Sequence, residues 1–459
     1  MDKWLGAALD YIPRWLEHQM RISKQPGCVM AIAHNGKLVL ERAYGFANLK
    51  RGVALTPRHR FRVASHSKSF TAAGILKLRE RGKLQLDDPV GKHVGGLRTD
   101  VANATLSQLL SHSAGLIRDG YDSGQWVDRR PFLTEAEIRA DLEKGLTIPA
   151  NSRFKYSNHG FGLLGMTVAA VTGESYGKWI KREIVDAVGL KETLTDKPLP
   201  RGTLFARGHG SELPLGHRVI IPGENCTNDL AAATGFVSTA ADLVRFFSQL
   251  APEARPSVLS SASRREMTRR QWRDEHSSLE RWYGLGTISG SIGDWGWFGH
   301  SGGFQGYITR TVVLPRQQLA ISVLTNASDG WSHFWLDGMI HILRGYARNG
   351  APSRRTVGWT GRWWSLWGAI DLVPMKDKVL VAAPVMFNPL MDASEIVVQG
   401  RDRRGAALGR IVLAGGFANH GEQVRLVRNA RGKAMELQFS GSKMYPEAKI
   451  AAELRKKYE

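Results

Sequence analysis

Cysteine is scarce in this 459-residue sequence, which contains only Cys28 and Cys226. Two cysteines cannot form a disulfide framework, and neither stands in a C-x-x-C pair or a Cys/His cluster. No His, Asp or Glu cluster has the spacing of a metal site, so we expect no metal and no other cofactor. Packing is the expected role of both thiols, and their scarcity fits a reducing compartment.

Long apolar runs are also lacking. No stretch reaches the roughly 18 apolar residues that a membrane helix needs. The N-terminal segment mixes apolar and charged residues at helical spacing, without the apolar core or the small-residue cleavage site of a signal peptide. We therefore expect a soluble, cytoplasmic protein without a membrane partner.

Acidic residues are outnumbered by basic ones, and the formal net charge is +21. The basic residues are scattered along the chain. Their densest cluster, residues 401–410, has no interleaved aromatic side chains on which nucleic-acid bases could stack. The charge therefore predicts solubility or weak attraction to anionic surfaces, and we expect no nucleic-acid partner.

Hydrophobic periodicity predicts a mixed α/β first domain over residues 1–350. Residues 26–48 are typical of a hairpin that turns at Asn35-Gly36, and strands return from about residue 282. Between them, helical spacing predicts helices over residues 68–82, 105–112, 134–145, 160–173 and 240–250. Strands at both ends with helices between predict one sheet built from the two ends of the domain, with helices on both faces.

The last hundred or so residues have a different pattern. Residues 349–360 combine Gly, Pro, Ser and paired arginines, which predicts a linker. Short alternating runs with turn residues between them follow, which predicts a small antiparallel β-barrel over residues 357–459.

Ser65 and Lys68 stand where a predicted strand gives way to a helix, so they share one helix face. A serine hydroxyl is a weak nucleophile until a nearby base accepts its proton. Lysine can be that base if burial, positive charge or the positive end of a helix destabilises its ammonium form. S-x-x-K at the start of a helix supplies this geometry, although the pattern alone is frequent by chance.

Two later motifs can complete such a site. In Tyr156-Ser157-Asn158, the phenol can relay a proton to a leaving group, and the amide can bond a substrate carbonyl or hold the lysine. The alternative interpretation is a turn that caps the next helix. After His300, glycines let a substrate lie against the strand edge, where a backbone N–H can serve as an oxyanion donor.

The segment Gly299–Gly303 also satisfies G-x-S-x-G, the nucleophile elbow of α/β-hydrolases, with Ser301 as the nucleophile. An elbow needs a helix directly after its serine. The following residues, FQGYITRTVVL, are instead typical of a strand, so we prefer Ser65.

The S-x-x-K, Y-x-N and H-x-G motifs occur in this order, 91 and then 144 residues apart. Together they resemble the motifs of the serine β-lactamase-like and penicillin-binding-protein family. That family includes class C β-lactamases, D-Ala-D-Ala carboxypeptidases, D-aminopeptidases and esterases. Blocks such as FRVASHSKSFTAAGILKLRERGKLQLDDPV and GHSGGFQGYITRTVVLP extend the resemblance over most of residues 26–330.

The resemblance implies the roles of the site residues. Ser65 is the acylated nucleophile, Lys68 is its base, and Tyr156 shuttles the proton. His300 takes the basic position of the third motif, and the backbone N–H groups of Ser65 and Gly303 form the oxyanion hole. The implied set comprises catalytic Ser65, Lys68, Tyr156 and His300, and substrate-binding Asn158, Gly302 and Gly303.

The resemblance also implies the fold, an antiparallel sheet flanked by helices with a helical subdomain. Gly361-Arg362-Trp363 resembles the start of lipocalin-like barrels, which follow the catalytic domain in some D-aminopeptidases. The tryptophan-rich stretch WTGRWWSLWG is then expected to fill the core of the barrel.

These inferences and the resemblance predict a serine hydrolase, similar to D-aminopeptidases or carboxypeptidases, that cleaves amide or peptide bonds of small molecules or short peptides through an acyl-enzyme. A carboxylesterase on the same residues is the alternative, and a non-catalytic penicillin-binding-like sensor is a distant third. A sensor has no need of Ser65, Lys68 and Tyr156 together. Because a neutral histidine replaces the lysine of many β-lactamases at position 300, we expect poor β-lactam turnover.

Overall fold

The computed structural model describes residues 2–275, 278–416 and 419–459. The chain forms two compact units. Gln25–His333 is the first unit, and residues up to Lys24 together with Phe334–Glu459 are the second. The N-terminal helix therefore belongs with the C-terminal segment, and the predicted domain limits at residues 350 and 357 stay predictions. No helix among the described residues is both long and apolar enough to cross a membrane.

The helices lie mainly between the two groups of strands, as the sequence predicts. In chain order they are α1 (Lys3–Ser23), α2 (Ser67–Glu80), α3 (Thr99–Ala102), α4 (Leu106–Leu110), α5 (Glu135–Leu142), α6 (Asn158–Thr172), α7 (Tyr176–Ile180), α8 (Ala240–Gln249), α9 (Ser261–Thr268), α10 (Ser332–Asn349) and α11 (Glu447–Tyr458). Each of the five segments expected to be helical contains a helix, so these predictions are confirmed.

Strands from both ends of the first unit share its main sheet. In chain order the strands of this unit are β1 (Gly27–His34), β2 (Lys37–Asn48), β3 (Val53–Ala54), β4 (Phe61–Arg62), β5 (Gly208–His209), β6 (Ile220–Ile221), β7 (Val237–Ser238), β8 (Trp272–Arg273), β9 (Arg281–Tyr283), β10 (Ile288–Ile292), β11 (Trp295–Phe304), β12 (Tyr307–Leu314) and β13 (Leu319–Thr325). Among the described residues, nine strands pair antiparallel in the order β3-β2-β1-β13-β12-β11-β10-β9-β8.

The pairing of β1 with β13 joins the two ends of this unit, with Ala31 opposite Ser322. The hairpin β1–β2 turns at Asn35 and Gly36, whose φ angles are 52° and 71°. Positive φ at both central residues is the geometry that Asn-Gly favours, so the predicted hairpin is confirmed.

Helix α2 lies inside the core of the first unit. Every residue from Ser67 to Leu76 is buried, which leaves no face of that stretch in water. Phe70 stacks on Phe236 and Phe246 with ring centroids 4.4 and 3.8 Å apart. Burial on all sides fixes the helix, and it also places Lys68 in a dry environment.

The second unit contains the predicted barrel-like sheet. Its strands are β14 (Gly361–Ser365), β15 (Gly368–Met375), β16 (Lys378–Ala382), β17 (Ser394–Arg401), β18 (Ala407–Leu413), β19 (Gln423–Arg428), β20 (Ala434–Phe439) and β21 (Ser442–Met444), which pair antiparallel in this order among the described residues. Mutual backbone hydrogen bonds of 2.8 and 2.9 Å between Trp364 and Tyr445 bring the two ends of the sheet together. The sheet is nearly closed, which agrees with the lipocalin-like prediction.

The tryptophan-rich stretch fills the barrel core only in part. Trp359 and Trp363 are buried there with Leu372 and Ile396. Trp367 lies at the β14–β15 turn and is 97% exposed, contrary to the expectation for the whole stretch.

The predicted linker is instead folded within the second unit. Backbone N–H groups of Ser353 and Lys376 donate to the carbonyls of Lys376 and Ala351, at 2.9 and 3.0 Å. Thr356, at 0% exposure, donates its hydroxyl to the Lys376 carbonyl at 2.6 Å. These contacts attach the segment to the turn between β15 and β16, so the linker interpretation is wrong. A glycine- and proline-rich composition marks turns as readily as linkers.

Candidate active site

A short 3-10 turn over Ala64–His66 carries Ser65 at the entrance to α2. Ala64 has a φ of 47°, a left-handed conformation that costs free energy for a residue with a Cβ. The Ser67 hydroxyl holds this turn, since it donates to the Ala64 carbonyl at 2.5 Å and accepts from the Phe236 N–H at 3.0 Å. The position of Ser65 is therefore fixed by buried contacts on both sides of it.

Lys68 lies one helical turn after Ser65 and is completely buried. Its Nζ is 3.1 Å from the Ser65 Oγ, 2.7 Å from the Asn158 Oδ1 and 2.9 Å from the Ala233 carbonyl oxygen. Burial, the largest cause, lowers the pKa of Lys68 well below its usual value, with Asp119 opposing this shift and Arg118 adding to it.

The three neighbours of Nζ suit a neutral amine. A free-base amine has two N–H donors and one lone pair. The Asn158 and Ala233 oxygens accept the two N–H groups, which leaves the lone pair for the Ser65 hydroxyl proton. The arrangement can therefore remove a proton from Ser65.

Tyr156 contacts Ser65 from a separate loop, just before α6. Its hydroxyl donates to the Ser65 Oγ at 2.8 Å. Burial raises the pKa of Tyr156 above its usual value, so the phenol keeps its proton in the resting site. Lys68 Nζ lies 4.7 Å from the centre of the same ring. Ser65, Lys68 and Tyr156 thus come together as the motifs predict.

Asn158 is held inside the protein at both ends of its amide. Its Oδ1 bonds Lys68, and its Nδ2 donates to the Asp119 Oδ1 at 2.5 Å. Asp119 also accepts from the Trp126 indole at 3.0 Å and pairs with Arg118 at 2.9 Å. Of the two roles considered for Asn158, holding the lysine is the one this geometry displays, and its contact with substrate stays a prediction.

His300 is buried on β11 and bonds residues outside the Ser65 cluster. Its Nε2 lies 3.0 Å from the Tyr283 hydroxyl, and its Nδ1 lies 2.7 Å from the Ser301 carbonyl oxygen. Burial lowers the pKa of His300 well below its usual value, and nearby His66 and Lys68 act in the same direction. The imidazole is therefore neutral at pH 7, and its catalytic role stays a prediction.

The glycines of the third motif bring β11 close to the nucleophile turn. A Cβ on Gly302 would lie 2.2 Å from the Val63 carbonyl oxygen and 2.7 Å from the Thr309 Oγ1. Only a residue without a side chain allows β11 to approach Val63, two residues before Ser65. Gly303, next along the strand, is exposed and has room for a Cβ, whose tightest contact would be Ile308 at 3.7 Å.

We expect Gly302→Ala to lower kcat/KM by about 10²-fold, because displacement of β11 by even an ångström misplaces the reacting groups. Overpacking should also lower the free energy of unfolding by about 1–3 kcal/mol. Gly303→Ala is the matched control and should stay within about threefold of wild type, since it keeps the backbone N–H. Steady-state kinetics and thermal unfolding of both variants test this, and equal effects would contradict it.

Ser301, the alternative nucleophile, does not lie in the secondary structure that a nucleophile elbow requires. Ser301 lies within β11, which runs from Trp295 to Phe304 and turns directly into β12. A nucleophile elbow needs a helix after its serine, so the elbow interpretation is wrong.

Several contributors to the site carry no motif in the sequence. Asp119 follows an ordinary turn, Tyr283 lies in a short strand, and Ala233 contributes only a carbonyl. Their contacts span 39, 17 and 165 residues of chain. Local patterning contains no signal for pairings at such separations. Within the described residues, no group of three or more His, Cys, Asp or Glu side chains could hold a metal ion.

A serine at a helix entrance, with a buried lysine and a phenol on its hydroxyl, is an arrangement that can support acyl transfer to the serine. A family model described as Beta-lactamase matches residues 12–334, which is more than half of the chain. The chain therefore belongs to the beta-lactamase family, whose relatives include serine hydrolases.

Two curated relatives illustrate the similarity. Protein flp of Staphylococcus aureus (strain N315) is 31% identical over 173 residues, 37% of this chain and 34% of that protein. The chain thus spans about a third of the length of this relative. Penicillin-binding protein 4 of Amycolatopsis lactamdurans is 28% identical over 328 residues, 67% of this chain and 83% of that protein.

Solved structures share the fold at low sequence identity. The octameric penicillin-binding protein homologue from Pyrococcus abyssi has a TM-score of 0.66 and 23% identity, and the match covers 95% of this chain and 99% of that one. The D-amino acid amidase from Ochrobactrum anthropi SV3 has a TM-score of 0.65 and 22% identity, over 74% and 99% of the two chains. These likenesses confirm the predicted β-lactamase-like fold.

Proposed function

We propose that this protein hydrolyses amide bonds of small molecules or short peptides through an acyl-enzyme on Ser65. The observation that carries the proposal is the buried Lys68 amine 3.1 Å from the Ser65 hydroxyl, with the Tyr156 hydroxyl 2.8 Å away on the same oxygen. A protein that only bound its ligand would gain nothing from burying a lysine in this position, which costs free energy.

The proposed first step is acylation. Lys68 takes the proton of Ser65 as Oγ attacks the substrate carbonyl carbon, and the carbonyl oxygen becomes an oxyanion facing the backbone N–H groups of Ser65 and Gly303. Tyr156 gives its phenol proton to the leaving nitrogen as the C–N bond breaks, and recovers a proton from Lys68.

Deacylation reverses these roles with water. Tyr156 accepts a proton from the incoming water as it passes its own phenol proton to Lys68, and the water oxygen attacks the acyl carbon. Lys68 then returns this proton through Tyr156 to the Ser65 Oγ as the ester bond breaks. The residues thereby return to their starting protonation states.

The neutral state of His300 supports a preference for uncharged amides over substrates that carry a carboxylate beside the reacting carbonyl. A lysine there would provide a permanent positive charge, whereas a buried neutral imidazole provides one donor and one acceptor. The D-amino acid amidase of Ochrobactrum anthropi and the D-stereospecific amidohydrolase of Streptomyces sp. have the same fold, which supports D-aminoacyl amides as the first substrates to test.

A substrate panel tests the proposal. We expect D-aminoacyl p-nitroanilides to be cleaved with a kcat/KM at least about tenfold above that for penicillin. Matched L-aminoacyl p-nitroanilides and p-nitrophenyl esters complete the panel. Preference for esters with no amide cleavage would establish the carboxylesterase alternative, and penicillin hydrolysis that equals the best amide would contradict the proposal.

The role of His300 has its own test. We expect His300→Lys to raise acylation by penicillin, relative to an uncharged ester, by up to about tenfold, because the lysine attracts the penicillin carboxylate. His34→Lys at the end of β1 makes the same change in charge and should leave the ratio unchanged. An unchanged ratio in His300→Lys would show that this residue does not set the preference.

A further inference from the structure

A cavity of about 620 Å³ lies in the first unit beside the candidate active site. Ser111 and Ser113, on either side of His112, contribute to its wall. The His112 side chain instead contacts Tyr156, with ring centroids 4.1 Å apart. One short segment thus separates the cavity from the active site, and Ser65 is not among the lining residues.

The charge of this cavity is positive. The described residues that line it include Arg269 and Arg270 and no carboxylate. Arg270 is paired with Glu280 at 2.7 Å, whereas the Arg269 side chain stands exposed at the end of α9. Guanidinium groups bind phosphate and carboxylate through paired N–H donors, so the cavity favours an anion.

A chain of hydroxyl groups adds an acceptor to the wall. The Ser111 hydroxyl donates to the Ser107 carbonyl at 2.8 Å, which uses its single proton. The Ser113 hydroxyl, 3.1 Å from the Ser111 Oγ, must then be the donor in that pair. The lone pairs of the Ser113 oxygen can therefore accept a hydrogen bond from a ligand. A phosphate or carboxylate anion has no proton to donate, but a ligand hydroxyl has one.

The remaining wall suits a polar ring. Gln108 uses its Oε1 to cap α4 by accepting the Thr105 N–H at 2.9 Å, and this cap does not use its Nε2 amide donors. The half-buried Trp272 offers an aromatic face at the end of the sheet. Amide donors beside an indole can engage the hydroxyls and the C–H face of a sugar.

We propose that this cavity is a binding site for an anionic sugar, either a sugar phosphate or a sugar acid. The anionic group lies against Arg269 and Arg270, and a ligand hydroxyl donates to Ser113. The site goes beyond the proposed hydrolase activity and does not depend on it.

Isothermal titration of the full chain with four probes tests the proposal. Glucose 6-phosphate represents a sugar phosphate, and glucuronate represents a sugar acid. Inorganic phosphate is an anion without a sugar, and glucose is a sugar without an anionic group. At least one sugar anion should bind about tenfold tighter than both phosphate and glucose, because it makes both sets of contacts. Binding of neither anion at 10 mM, or binding of phosphate as tight as that of the sugar anions, would overturn the proposal.

Three variants locate the binding. Arg269→Gln should weaken sugar-anion binding by about tenfold or more, whereas Arg245→Gln, the same change at an exposed arginine of α8, should leave it unchanged. Ser113→Ala should weaken the sugar anion but not inorganic phosphate. Circular dichroism and thermal unfolding verify the fold of each variant. If correctly folded Arg269→Gln binds as wild type does, the site is elsewhere and the proposal fails.

Discussion

Replacement of Lys68 by methionine should lower kcat/KM by about 10³-fold or more, because Ser65 then loses the base that accepts its proton. Methionine fills a similar volume without a titratable group. Lys68→Arg should be similarly impaired, since a guanidinium stays protonated and cannot act as the base. Steady-state kinetics on the best substrate of the panel give the measurement.

Lys77→Met is the matched control on the same helix. Lys77 donates to the Val258 carbonyl at 2.8 Å and has no contact with Ser65. Its replacement should leave kcat/KM within about threefold of wild type. Near wild-type activity in Lys68→Met would overturn the assigned base.

The pH profile of the wild-type enzyme should report the same group. Only the free-base form of Lys68 accepts a proton, so kcat/KM should rise with pH through the pKa of Lys68 and then level off. Burial sets that pKa well below the usual value for lysine, so the rise should be complete at a lower pH than an exposed lysine would allow. In Lys68→Met this limb should disappear.

Ser65→Ala should abolish covalent labelling and hydrolysis together. A fluorophosphonate or a slowly deacylated β-lactam should add one mass to the wild-type chain, on the peptide that contains Ser65. Without Oγ no acyl-enzyme can form, so the loss should exceed that of any other single change in the site. Intact-protein and peptide mass spectrometry measure the result.

Ser301→Ala is the control for this experiment, because Ser301 belongs to the rejected G-x-S-x-G pattern. It should keep the label on Ser65. The free energy of unfolding of the Ser65→Ala variant should lie within about 0.5–1 kcal/mol of the wild-type value, since the serine is only half-buried. A label on Ser301 in the wild-type protein would contradict the assignment.

Short-range patterns determined most of the architecture. The Asn35-Gly36 turn fixes the β1–β2 hairpin because both residues tolerate positive φ. Helical periodicity located α2, and the S-x-x-K spacing placed Ser65 and Lys68 one turn apart on it. Alternating strands likewise predicted the C-terminal barrel, which the resemblance of its G-x-W start to lipocalin-like barrels also implied. These features depend on neighbours within a few residues, so the sequence expresses them directly.

Composition misled where one residue type serves two structures. Glycine, proline and serine at residues 349–360 suggested a linker, but the segment is hydrogen-bonded to the turn after β15. Helix α1 groups with the C-terminal residues in the structure, and nothing in its own sequence indicates this. There Gln19 accepts from the Trp335 indole at 3.3 Å, a contact across 316 residues. No local pattern specifies such a partner.

The sequence by itself therefore determined the family, the fold and the three motifs of the candidate site. The tertiary structure decided the protonation and the hydrogen-bond partners of the site residues. Burial of residues 67–76 of α2 on every side lowers the pKa of Lys68. Asp119 accepts a hydrogen bond from Asn158 and so holds the Asn158 amide beside Lys68. The Tyr283 hydroxyl forms a hydrogen bond with the imidazole of His300. A side chain acquires its pKa and its hydrogen-bond partners from distant segments that pack around it, and only the folded chain brings those segments together.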